Sequence, residues 1–296
     1  MKAMRDRPLR PLKSVRRKRS AKPSLWQSQP LWVLVSLLVN GFLIAILMLT
    51  ALRDHSLSTT APPPPPPLRA SLPTTSSTLV ANVGERHQLN YQQWLDLLEQ
   101  EARAAAEQPP QRLTILVGDS LSLWFPPNLL PSDRSWLNQG ISGETSAGLL
   151  RRLDLFRATQ PQTIFVLIGI NDLIRQVKVE TVLANQQEIL RDLRRQHPQS
   201  QIVLQSILPH GVESVTWEGR DRLLAVTNER IRELNENLRS IAAEEGTQFL
   251  DLYPLFADAQ GNLQPALSTD GLHLSPQGYL VWRTALQLYS QIELEK

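Results

Sequence analysis

Five short apolar runs, rich in Val, Ile, Leu and Phe, constrain this chain more than any other feature. They are LTILVG (113–118), SWLNQGI (135–141), TIFVLIGI (163–170), QIVLQSIL (201–208) and TQFLDLY (247–253), and each is followed by a loop or a helical pattern. Runs this short, bounded by turn residues, read as buried strands. Helical spacing of apolar residues marks VETVLANQQEILRDLRRQ (179–196) and DRLLAVTNERIRELNENLRSIAAEEG (221–246), the second ended by Gly246. Ahead of the first run, NYQQWLDLLEQEARAAAE (90–107) places Trp94, Leu97, Leu98 and Ala105 for an amphipathic helix. This alternation predicts an α/β domain, a three-layer α/β/α sandwich with a five-stranded, mainly parallel sheet. With 42% apolar and 20% charged residues, the chain has the material to fill such a core.

One end of the chain sets the net charge of +3. The first thirty residues carry ten Lys/Arg against Asp6 alone, which leaves 21 basic and 27 acidic residues elsewhere and a body near −6. That body has no general reason to bind nucleic acid. Behind the basic tail (1–29), Leu31 to Leu52 holds no charged residue, and it matches the ~20 apolar residues that cross a bilayer as a helix. Segment 30–52 is therefore expected to be a single transmembrane signal anchor. The positive-inside rule puts the tail in the cytoplasm and everything after Arg53 on the extracytoplasmic, periplasmic side. TALRDHS (50–56) offers no small-x-small cleavage site, so the anchor is expected to be retained. Residues 53–85 are dominated by Ser, Thr, Pro and Ala, with six prolines from Pro62 to Pro67, and read as a spacer linker. The folded domain is expected over 86–296. Cysteine is absent, which excludes a disulfide framework and any thiolate metal site.

In an open parallel sheet, ligands bind beyond the carboxyl ends of the strands. Those ends carry Gly118-Asp-Ser120, Asn138 to Thr145 (NQGISGET), Gly169-Ile-Asn-Asp172, Pro209-His-Gly211 and, past a loop, Asp270-Gly-Leu-His273. Taken singly, each reads equally well as punctuation. Asp119 or Ser120 can cap a helix, so can Asn171 or Asp172, Asp270-Gly271 can make a turn, and Ser275-Pro276 looks like a cap followed by a first helical proline. Taken together, they are the residue types that acyl transfer needs. A serine hydroxyl attacks only if a base removes its proton, the base needs an orienting carboxylate, and the oxyanion needs donors already in place. Ser120 would attack, His273 would serve as base and then acid, and Asp270 would hold the imidazole. The three-residue spacing of Asp270 and His273 puts both on one face of a turn. The candidate oxyanion donors are the backbone N–H of Ser120, the backbone N–H of Gly143 and the side-chain amide of Asn171.

These blocks, in this order, resemble the SGNH, or GDSL, hydrolase family. Gly118-Asp-Ser-Leu121 matches its first block, Asn138–Thr145 its glycine block, Gly169-Ile-Asn-Asp172 its asparagine block, and Asp270-Gly-Leu-His273 with Ser275-Pro-Gln-Gly-Tyr279 its last. The basic tail, the apolar segment and the linker have no part in it. The resemblance implies a flavodoxin-like sandwich, no metal or organic cofactor, and hydrolysis of ester or thioester bonds, in some members on O-acyl groups of carbohydrates. It carries the oxyanion role to Gly143, with Gly140 as the alternative.

Rival signatures are missing: the sequence contains no G-x-S-x-G, HExxH, Walker A or GxGxxG. Of its five histidines, His55 falls at the linker junction, and His87 and His197 lie near helix ends without an acidic partner at useful spacing. His210, Trp217 in the loop HGVESVTWEGRD (210–221), and Trp124 just after Ser120 are candidate substrate-lining residues; each also has a plain loop or core reading. The expectation is a membrane-anchored serine esterase whose partners are an ester substrate, lipid or acylated carbohydrate, and the membrane. Two alternatives stay open. One keeps the site but makes the protein an O-acyltransferase or deacetylase of cell-envelope carbohydrate. The other is a non-catalytic envelope-binding module, which would have no chemical need for Ser120, Gly143, Asn171, Asp270 and His273 at once.

Overall fold

The computed structural model of the protein describes residues 89–294. The expected basic tail, transmembrane anchor (30–52) and linker (53–85) lie outside these residues. Among the described residues no helix is long and apolar enough to cross a membrane.

The described residues open with helix α1 (Tyr91–Glu107), whose start is fixed by a capping box: the Asn90 side chain accepts from Gln93 N–H while the Gln93 side chain accepts from Asn90 N–H. Then follow β1 (Leu113–Gly118), the single turn α2 (Ser120–Leu123), β2 (Ser135–Gly140), α3 (Ser146–Arg151), β3 (Thr163–Leu167), α4 (Ile170–Ile174), α5 (Val179–Gln196), β4 (Gln201–Gln205), α6 (Arg220–Leu224), α7 (Asn228–Glu244), β5 (Gln248–Leu250), α8 (Tyr253–Phe256) and α9 (Pro276–Tyr289). The five strands pair in the order β2-β1-β3-β4-β5. All four pairings are parallel, a stricter arrangement than the mainly parallel sheet expected. In this strand order the connections leave β1 and β3 in opposite directions, so a crevice opens between their carboxyl ends.

Side chains alternate across the strands. Ile115, Val117, Ile164, Val166, Ile202 and Leu204 pack on one face with α3, α5 and α7. Leu116, Phe165, Leu167, Val203 and Leu250 pack on the other with Leu121, Phe125 and the α9 residues Tyr279, Trp282 and Leu286. Burial on both faces is why these runs are apolar throughout rather than alternating. Helix α1 leans on the β2 side, where Trp94 and Leu98 meet Leu123 and Ile141.

One helix differs from the sequence expectation. The pattern over 221–246 forms two helices, α6 and α7, because Thr227 leaves the helical path and caps α7, its hydroxyl accepting from Arg230 N–H. Apolar spacing runs through the break because Leu223, Val226 and Ile231 all enter the same core, so periodicity alone conceals it.

Candidate active site

Strand β1 delivers Ser120. Beyond Gly118 the chain turns into α2, and the cap of that turn is Asp119, whose carboxylate accepts from Leu121 N–H at 3.0 Å. Ser120 is the first helical residue, so its own N–H has no intrahelical acceptor, and its hydroxyl is not used for capping. The turn is tight because two glycines let elements close on each other. A Cβ on Gly118 would stand 2.1 Å from the Leu167 carbonyl oxygen, and one on Gly140 would stand 2.4 Å from Leu123 N.

Asp270 and His273 come from the loop before α9. Asp270 Oδ1 accepts from the N–H groups of Leu272 and His273 at 2.9 and 2.8 Å, which folds the four residues into an Asx-type turn. Its other oxygen accepts from His273 Nδ1 at 2.7 Å. A carboxylate there puts the ring proton on Nδ1 and leaves Nε2 as an acceptor, and Nε2 lies 3.2 Å from Ser120 Oγ. Gly271 sits at φ +87°, and a Cβ would meet Val215 at 2.7 Å, so the turn accepts only glycine there. Burial draws the Asp270 carboxyl upward, but the His273 and Leu272 N–H groups and the imidazole outweigh it and hold its pKa below the ordinary value. Asp270 is thus anionic at and above the usual carboxylate range, and its hold on His273 weakens only under stronger acid.

The remaining candidates face the same rim. Gly143 has φ +73°. The amide nitrogen of Asn171 on α4 is buried and makes no hydrogen bond, as a donor kept for a ligand would be. Gly140, the alternative, already donates its N–H to Asn138 Oδ1 at 3.0 Å. Among the described residues no group of three or more His, Asp or Glu side chains is placed to hold a metal ion.

Ser120, His273 and Asp270 therefore stand in hydrogen-bonding sequence at the β1/β3 switch point, and the sequence model of the GDSL-like lipase/acylhydrolase family matches residues 113–281. The chain belongs to that family. It is an ester hydrolase by class. Three solved structures resemble this acylhydrolase. One, described as a platelet activating factor from Streptococcus pneumonia, is 27% identical with a TM-score of 0.60 and covers 67% of this chain and 93% of its own. An acylhydrolase from Bacteroides fragilis (20% identical, TM-score 0.55, 67% and 97% covered) and a GDSL-like lipase from Bacteroides thetaiotaomicron (18%, 0.54, 66% and 98%) share the fold. A curated relative, the N-acylneuraminate cytidylyltransferase of Streptococcus agalactiae, is 26% identical over 175 residues, 59% of this chain. The match covers only 38% of that relative's length.

The candidate lining residues of the acylhydrolase separate. Trp124 stays at the site, its ring centroid 4.3 Å from that of His273. Trp217 packs over Gly219, and its N–H donates to the Asp270 carbonyl at 3.2 Å, so its loop buttresses the Asp270 turn. His210 does not line the site. It is 2% exposed, with Nδ1 2.6 Å from the Gly211 carbonyl oxygen and Nε2 2.5 Å from that of Val226. Its ring braces the carbonyl freed by the break between α6 and α7, so neither nitrogen is left for a substrate.

The structure also brings in side chains that sequence reasoning did not assign to the site. Both oxygens of Asp172 accept from Ser146, one from its N–H at 2.8 Å and one from its hydroxyl at 2.6 Å. Glu144 and Arg152 form a buried ion pair at 2.8 Å, and Arg152 also reaches the Gly118 carbonyl at 3.3 Å. These tethers bind the serine turn, the glycine loop and α4 into one unit. No local pattern announces them, because each joins segments apart in sequence.

Asp119 is fully buried, and one of its oxygens makes no hydrogen bond. Burial, with Asp172 and Glu144 nearby, pushes its pKa up to about 7. A raised carboxyl pKa means the native state holds a proton that the unfolded chain releases, so the stability from Asp119 is present below the ordinary carboxylate value and lost as pH rises through about 7. Asn caps a helix as well as Asp and carries no charge. Asp119→Asn is therefore expected to raise Tm at pH 8 by several degrees, roughly 2 kcal/mol, and to leave it nearly unchanged at pH 4. Equal shifts at both pH values in thermal denaturation would count against a buried, titrating Asp119.

Proposed function

We propose that the protein is an extracytoplasmic serine esterase that works through an acyl-enzyme. The observation that carries this reading is the Ser120–His273–Asp270 relay, with 3.2 and 2.7 Å between successive partners. Ser120 Oγ attacks the ester carbonyl carbon as its proton passes to His273 Nε2. The oxygen of the tetrahedral adduct takes hydrogen bonds from the N–H groups of Ser120 and Gly143 and from Asn171 Nδ2. Collapse breaks the bond to the alcohol oxygen, which leaves with the proton from Nε2, and an acyl-Ser120 ester remains. Water then attacks that ester, giving its proton to Nε2; the acid departs and Ser120 Oγ recovers the proton. Asp270 keeps the imidazole in the tautomer that can accept and stabilises it when charged. Release of p-nitrophenol from acetyl, butyryl and octanoyl esters, with Ser120→Ala alongside, tests the proposal, and a folded wild type inert on every ester sinks it.

The address belongs to the same proposal. Its support is the charge-free run from Leu31 to Leu52 behind ten cations; on this reading the acylhydrolase domain lies outside the cytoplasmic membrane on a proline-rich spacer. The full chain is expected to sediment with membranes through a carbonate wash, while a chain starting at Asn82 stays in the supernatant. In spheroplasts, added protease is expected to remove the domain. Protection from protease would reverse the orientation, and a washed-off full chain would remove the anchor.

A further inference from the structure

Resting on the esterase reading, the geometry assigns a positioning role to Arg175: it holds the glycine loop so that the Gly143 N–H keeps its aim at the oxyanion. Glu144 N–H donates to the Ile141 carbonyl at 3.2 Å, closing a turn over Ile141–Glu144. Gly143 is third in that turn at φ +73°, and Ser142 is not in the positive-φ region, which together define a type II turn. Such a turn has a known failure mode. If the peptide between its second and third residues flips, it becomes type I, and here that peptide carries the N–H of Gly143. Glycine tolerates both forms, so the residue that permits the donor geometry does nothing to retain it.

Arg175 supplies the restraint. Its guanidinium donates to the Gly143 carbonyl at 2.7 Å, on the peptide that follows the one that would flip, and lies 3.5 Å from where a Gly143 Cβ would stand, so it pins Gly143 at the pivot of that rotation. It is four residues after Asn171 on the turn formed by α4, its N–H bonded to the Asn171 carbonyl at 3.1 Å, so both side chains leave the same face. Asp172 lies near enough to feel the Arg175 charge, and the hydrogen bond that the guanidinium itself makes goes to the Gly143 carbonyl. On the far side of the glycine loop, Asp172 holds Ser146 through two hydrogen bonds. Helix α4 thus presents one oxyanion donor, Asn171, and restrains the loop that presents another.

The test is steady-state kinetics on p-nitrophenyl acetate with Arg175→Met and Arg175→Lys in the full chain. Loss of a whole oxyanion donor costs ~10²–10³ in kcat; a donor held in its productive orientation for only part of the time costs less. Arg175→Met is expected to lower kcat ~10-fold with KM within ~2-fold of wild type, and Tm should hold because the side chain is exposed. Arg175→Lys keeps a charged donor and is expected to recover most of the loss. Unchanged kcat in Arg175→Met overturns the assignment, as does a rise in KM alone, which would make the guanidinium a substrate contact. A kcat loss that tracks a lower Tm, unrelieved by lysine, also overturns it. Ser120→Ala run beside these variants separates the two levels: if it abolishes turnover while Arg175→Met does nothing, only the positioning role fails, whereas a wild type without turnover removes both.

Discussion

Ser120→Ala is expected to lower kcat on a p-nitrophenyl ester by at least ~10⁴-fold, and His273→Ala by a similar factor. The size follows from the geometry. Ser120 Oγ has one base within reach, His273 Nε2 at 3.2 Å, and a neutral hydroxyl without a base is a poor nucleophile. Because the two residues act in one proton transfer, the double variant is expected to lose little more than either single variant. Asp270→Ala is expected to do less damage, since the imidazole can still accept a proton once it finds its orientation, although the substitution removes both the 2.7 Å restraint on Nδ1 and the acceptor of the Leu272 and His273 N–H groups. Burst kinetics provide the check: wild type releases a stoichiometric first equivalent of p-nitrophenol if deacylation is slow, and Ser120→Ala releases none. More than about 1% residual turnover in purified Ser120→Ala, against that expected loss, would show that another group performs the attack.

Glu144→Ala is expected to cost about 3–5 kcal/mol of stability, the usual effect of leaving a buried charge without its partner. For a domain of this size that lowers Tm by roughly 10 °C. Glu144 and Arg152 are both buried, and desolvation pulls the Arg152 pKa down, so the arginine depends on its partner. Glu144 also accepts from Thr145 N–H at 3.1 Å and Tyr91 OH at 3.3 Å, and those donors lose their acceptor too. Replacing both members with apolar residues, Glu144→Leu with Arg152→Met, is expected to recover part of the loss, since no charge then remains buried. The thermal midpoints of the single and double variants, measured together, decide it. A double variant less stable than Glu144→Ala would mean that the hydrogen bonds, and not the charge, set the cost.

Much of the fold was readable along the chain. The inner strands β1, β3 and β4 fill two faces of a buried sheet, which demands apolar residues in sequence, and β1 and α5 have the bounds their patterns predict. Helix ends were readable where a cap is local, as at Ser275, which accepts from Gly278 N–H ahead of a first-turn proline. The candidate site was readable as four short blocks because its turns need residues whose signature lies within a few positions: a cap at Asp119, a positive-φ glycine at Gly143, an Asx turn at Asp270.

What the sequence by itself determined was therefore each local piece and its place at a strand end, since backbone conformation, capping and strand burial depend on near neighbours. The tertiary structure decided which pieces meet. It brought His273 to Ser120 across 153 residues, buried His210 against Val226, and set Asp172, Arg152 and Arg175 as tethers between loops. Each of these is a contact between segments whose distance is fixed by how the sheet is ordered and how the helices pack, and no single stretch of residues encodes that distance.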